Sequence, residues 1–190
     1  MNTRTRCITS FTLLLLVCFA FACNFDQTEE ASKIIEVGNA AVAEGDKLLQ
    51  EANSKTAKLF DSVSPERYVE ERDSMKSLAQ ESVDGFEKGA AKYREAATKF
   101  DQASKLKIHE KLKEYLSLKS QEFSKRAEQA DIAKGNPKAF MESSNAEAFT
   151  KKINENKERY EKLEEEATEL VEKSSRIQQE NKDKFKPDSK

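Results

Sequence analysis

Few side chains in this 190-residue chain could carry chemistry, and they lie far apart. His109 is the only imidazole, beside Ile108 in the charged stretch 107–113. A general base needs an orienting partner and a pocket, and Glu110, its neighbour in sequence, points elsewhere on a helix. Glu164, Glu165 and Glu166 are consecutive carboxylates. Three residues in a row fan round a helix and cannot share one oxygen cage, so a solvated acidic face is expected, not a cation site. Phe86, Tyr93 and Phe100 recur at heptad spacing. Such a stripe fills a core, or lines a cavity for an apolar ligand if four helices enclose it. A single His and three dispersed Cys leave no zinc-ligand spacing. Glycine-rich phosphate loops, dinucleotide fingerprints and nucleophile elbows are missing from the sequence. The expectation is a chain that is not an enzyme, with no catalytic residues, no cofactor and no metal.

The charge balance narrows the partners. Lys and Arg number 33 against 35 Asp and Glu, and the pI is near 5.7. Nucleic-acid binding needs a basic stripe, which this mixture does not supply. Past residue 22, only 30 of 168 residues are Ile, Leu, Val or Phe, which is too few for a wide core. The remainder is rich in Ala, Glu, Lys, Leu and Arg, with five Gly and three Pro in all. Long helices round a thin core follow from that composition.

The N-terminus has a different texture. Arg4 and Arg6 precede an apolar run over residues 8–21, and Ala20 and Ala22 bracket Phe21. This is the anatomy of a secretory signal peptide over residues 1–22. Cys7 and Cys18 lie inside it, so Cys23 is the one cysteine left after cleavage. A lone cysteine at that junction resembles the precursor of a bacterial lipoprotein. Ala22 matches the family's pattern, whereas Ala20 and Phe21 stand where it prefers Leu and a small residue. The resemblance covers residues 13–23 and implies that the Cys23 thiol is diacylglycerated, that the leader is cut before it, and that acyl chains hold the protein on a membrane. Each buried CH₂ adds about 0.8 kcal/mol, so two or three chains anchor stably. Asn24 is not the Asp that retains some lipoproteins at an inner membrane, which points to the outer membrane or surface. The alternative is ordinary cleavage and a secreted chain with a free N-terminal thiol, a liability in an oxidising compartment. A tether over residues 23–33, a helical domain over 34–184 and a tail over 185–190 complete the expected organisation.

Breakers and periodicity divide the rest. Ser64-Pro65 reads as a cap and first helical position, Gly135-Asn136-Pro137 as a turn, and Ser144 with Glu147 as a capping box. Helices are predicted over about 28–62, 66–134 and 145–184, with a short piece near 138–143. The last carries a heptad seam from Phe149 through Asn156 and Tyr160 to Ser174 and Ile177. Its polar members either set register or face solvent. In the middle segment the seam through Phe86, Tyr93 and Phe100 stutters at Ser104 and Ile108. The stutter is either a local unwinding of one helix of about 100 Å or a corner between two, and the lack of Gly or Pro there argues against a break. Gly38 and Gly45 share a stripe with Ala41 and Ala52; they admit a close neighbour or only weaken the helix, and weakening is the expectation. Acid-first pairs at i,i+4, among them Glu51→Lys55, Glu122→Arg126 and Glu169→Lys173, mark solvated faces. Ala96-x-x-x-Phe100-x-x-Ala103 is similar to part of a tetratricopeptide repeat, but no 34-residue period recurs and coiled-coil packing accounts for it. The expected fold is all-α: an elongated antiparallel bundle or coiled coil of three long helices, or four if the stutter is a corner. The expected role is a structural or interaction module at the cell envelope, with protein partners or self-association and the membrane at its lipid. A carrier or sensor of an apolar small molecule is the alternative.

Overall fold

The computed structural model describes residues 26–61 and 65–185. Helix α1 (Thr28–Asp61) is followed by a 3₁₀ turn (Pro65–Arg67), α2 (Tyr68–Ser104), α3 (Glu110–Ala133), the short α4 (Gly135–Glu142), α5 (Ala146–Glu180) and a closing 3₁₀ turn (Lys182–Phe185). Among the described residues there is no strand. The fold is all-α with four long helices. α1 begins inside the stretch read as tether, six residues before the expected domain boundary at 34.

The stutter is a corner. The middle segment over 66–134 breaks at residues 105–109 without glycine or proline, because side chains supply what the backbone loses. Ile108 turns inward and is buried with Phe100, Leu116 and Phe123. His109 is extended (φ −58°, ψ 135°), and its Nδ1 accepts the Lys111 N–H at 3.1 Å, which caps α3. Gln27 closes the corner from outside: its N–H donates to the Lys107 carbonyl at 2.9 Å, and its Oε1 accepts the Lys107 N–H at 3.0 Å.

The Gly135 turn, by contrast, is only a kink. Lys134 stays helical (φ −53°, ψ −31°), and no described glycine has positive φ. Pro137 sits in the first turn of α4, where a missing N–H costs little. A Cβ at Gly135 would lie 2.7 Å from Asn156 Nδ2, so a side chain there would displace the Asn156 amide. Asn156 donates to Asn136 Oδ1 at 2.9 Å, so this polar seam residue fixes how α5 meets α4 and does not simply face solvent. The cap of α5 is Asn145, one residue beyond the predicted Ser144; its Oδ1 accepts the Ala148 N–H at 2.9 Å. Pro65 opens the 3₁₀ turn, while Ser64 lies outside the described residues.

Each long helix packs antiparallel on the next in the chain, and α4 bridges α2 and α5. The α1–α2 interface is the tightest. Gly38 receives Phe100, Gly45 receives Tyr93, Gly85 faces Ala52 and Gly89 faces Leu49. The preferred reading of the glycine stripe, a mere weakening of the helix, is therefore corrected: these positions lack a Cβ because a neighbour fills its place. Thr56 and Ser82 hydroxyls, 2.6 Å apart, add a buried polar contact, and Ser82 donates to the Ala52 carbonyl at 2.9 Å. At the far end, Leu59, Tyr68 and Phe140 form a second core with Phe60 and Phe149, and Tyr68 Oη donates to the Phe140 carbonyl at 2.7 Å. Of the three acid-first pairs cited above, Glu122–Arg126 and Glu169–Lys173 form, whereas Lys55 reaches across to Glu81 on α2 at 2.9 Å.

Candidate partner-binding groove

Consecutive packing has a geometric consequence. α1 and α5 are the two edges of a curved layer and make no extended contact with each other. Between them runs an open groove of about 560 Å³, lined by all four long helices. Phe86 and Tyr93 of α2 form its floor; Asp46 and Gln50 stand on the α1 side, Arg126 and Gln129 on α3, and Tyr160 on α5.

The floor is held rigidly. The Tyr93 ring lies between Gly45 and Phe123, whose centroid is 5.5 Å away, and its hydroxyl donates to Asp46 Oδ1 at 2.5 Å. Burial, reinforced by that carboxylate, pushes the Tyr93 phenol far above its ordinary pKa, so it is a hydrogen-bond donor at neutral pH and not a base. The α3 wall carries a buried carboxylate. Glu122 is 3% exposed and accepts from Lys119 Nζ at 2.5 Å and Arg126 Nε at 2.9 Å. Burial opposes the charge on Arg126, but the bond to Glu122 and the fields of Glu122 and Glu164 outweigh it, and its pKa stands above the usual guanidinium value. Tyr160 is 39% exposed, its pKa raised by partial burial and by Glu164. Gln129, itself buried, donates to Glu164 across the α3–α5 contact. The groove therefore offers aromatic surface, amides and fixed charges, which is binding chemistry. A nucleophile–base pair is not among its lining residues.

The residues singled out from sequence fall as follows. His109 caps a helix at the corner, away from the groove. Glu164 meets Gln129, Glu166 pairs with Lys125 at 2.9 Å, and Glu165 is exposed, so the three carboxylates do diverge. Among the described residues no group of three His, Cys, Asp or Glu could hold a metal ion. Phe86, Tyr93 and Phe100 are all buried, and Ala96 and Ala103 are fully buried beside them as packing residues. Cys23 lies outside the described residues, and no described helix is long and apolar enough to cross a membrane. Sequence reasoning missed Asp46, Gln129 and the groove role of Arg126. The legible signals were the aromatic stripe, of which Phe86 and Tyr93 form the floor, and Tyr160 in the seam of the last helix.

The geometry defines an open four-helix layer with a lined groove. Comparison with known proteins finds no matching protein family, no matching curated protein and no matching solved structure.

Proposed function

We propose that this chain is exported, anchored by lipid on Cys23, and acts at the cell envelope as an interaction module that seats a helix of a partner protein in the α1–α5 groove. The observation that carries the reading is the unclosed layer: two edge helices, α1 and α5, flank an open groove lined by all four long helices. The groove runs along α1 from Asp46 to Ala57, which is about three helical turns. Ala57, Ala130 and Ala133 leave room for the apolar side chains of an incoming amphipathic helix. Asp46 and Arg126 present opposite charges for its polar edge, which favours a polypeptide over a purely apolar guest.

The anchor is tested by the intact mass of the mature N-terminus: diacylglycerol on Cys23, with release from membranes in Cys23→Ala, supports it, and an unmodified soluble chain overturns it. The groove is tested in cells with a photo-crosslinking residue at Gln50 or Tyr160, beside one at Lys88 on α2. Adducts from the groove positions alone, mapped by mass spectrometry to one helical segment and lost in Arg126→Glu, are expected. Adducts of twice the chain's mass would make the occupant a second copy. Equal adducts from Lys88 would sink the groove reading. A carrier of an apolar small molecule draws support from the Phe86–Tyr93 floor; copurified lipid and ligand-dependent melting would favour it.

A further inference from the structure

We infer that the α2–α3 corner is the membrane-facing end of the molecule, held there by the anchor itself; this rests on the lipidated Cys23 reading. The first described residues are pinned to that corner. Gln27 exchanges two hydrogen bonds with the Lys107 backbone, at 2.9 and 3.0 Å. α1 begins at the next residue, with Asp26 Oδ1 accepting from the Thr28 N–H at 3.0 Å and the Gln27 carbonyl accepting the Ala31 N–H at 2.9 Å. Four residue steps separate Cys23 from Gln27. Fully extended they reach at most about 14 Å. An acylated cysteine sits at headgroup level, because its chains are buried in hydrocarbon. The corner therefore cannot stand further from the headgroups than that reach. α1 is 34 residues, about 51 Å long. The opposite end, with α4 and the Tyr68–Phe140 core, is the end free to stand away from the bilayer.

The tether enforces this contact, not charge. The corner carries several lysines, but Lys105 pairs with Asp101 at 2.6 Å, Lys111 with Glu114 at 2.8 Å and Lys113 with Glu110 at 2.7 Å. A surface so neutralised has little electrostatic pull towards anionic headgroups. The apposition should therefore persist on neutral lipid and at high salt.

The test uses the full lipidated chain in phosphatidylcholine vesicles containing a headgroup-attached quencher. A fluorophore is placed at Lys105→Cys or at Glu142→Cys, both exposed positions. Quenching several-fold stronger at residue 105, unchanged by high salt, is expected. A Gly/Ser insert of about 20 residues after Cys23, spanning roughly 25 Å on average, should remove the difference. Equal quenching at the two sites, stronger quenching at 142, or loss of the difference in salt overturns the inference while diacylglyceryl-Cys23, seen by intact mass, leaves the anchor standing. An unmodified Cys23 would overturn both.

Discussion

Replacing Gly45 by alanine pits two effects of known size against each other. Alanine in a helix interior is favoured over glycine by about 1 kcal/mol, so propensity alone predicts a more stable protein. The structure predicts the reverse. A Cβ at residue 45 would lie 2.9 Å from Tyr93 Cδ1 and 3.0 Å from Cε1. The ring cannot swing away freely, because Phe123 lies against it and its hydroxyl is bound to Asp46. Overpacking of this kind costs about 1–3 kcal/mol. Part of the Tyr93–Asp46 bond, about 1.5–3 kcal/mol for a charged acceptor, is lost as well. The balance is a net loss of about 2 kcal/mol, or a Tm lower by roughly 4–8 °C in a chain of this size. Circular dichroism at 222 nm against temperature and urea measures it. Tyr93→Leu in the same background removes the obstacle, so the double-mutant cycle should show a coupling of at least about 1 kcal/mol. A Gly45→Ala protein about 1 kcal/mol more stable than wild type, with no coupling to residue 93, would refute the close-packing argument and restore the view that the glycine only weakens α1.

Three further outcomes follow from the same contacts. All four tyrosines have pKa values raised above 10, in each case first by burial, so the folded chain keeps phenolic protons that the unfolded chain has lost. That stability is fully present below the unfolded value and is lost as pH rises above about 10. Absorbance at 295 nm should show later tyrosinate formation in folded than in urea-unfolded protein, and Tyr93→Phe should flatten the loss; coincident titrations would contradict it. Glu122→Ala leaves Lys119 and Arg126 without their shared buried carboxylate and should lower stability by about 2–3 kcal/mol, read as a shift in urea midpoint; an unchanged midpoint would show the site to be effectively solvated. His109→Ala should cost about 1 kcal/mol through loss of the α3 cap, while His109→Asp keeps stability at wild-type level; equal losses in both would mean the imidazole does something other than cap.

Much of the architecture was legible because periodicity is local. The seam from Phe149 to Ile177 and the aromatic stripe from Phe86 to Phe100 each mark one face of a helix whatever lies opposite. What the partner is cannot be read from one helix. Ala167 and Ser174 are buried, yet Tyr160 in the same seam is 39% exposed, because it lines the open groove on the side where α1 and α5 make no extended contact. The glycines were visible but ambiguous, since a missing Cβ looks the same in sequence whether it makes room for Tyr93 or nothing. The corner at 105–109 was hidden for a similar reason: its closing hydrogen bonds come from Gln27, eighty residues away.

By itself the sequence determined helix content and the faces that are apolar. These are properties of short stretches, set by composition and by 3.6-residue periodicity. Tertiary structure alone decided that the middle segment turns back, that Gly45 and Tyr93 interlock, that Glu122 is buried between two cations, and that α1 and α5 are left as open edges round a groove. Each of these depends on which distant surfaces meet, and burial and hydrogen-bond satisfaction, not local propensity, select that meeting.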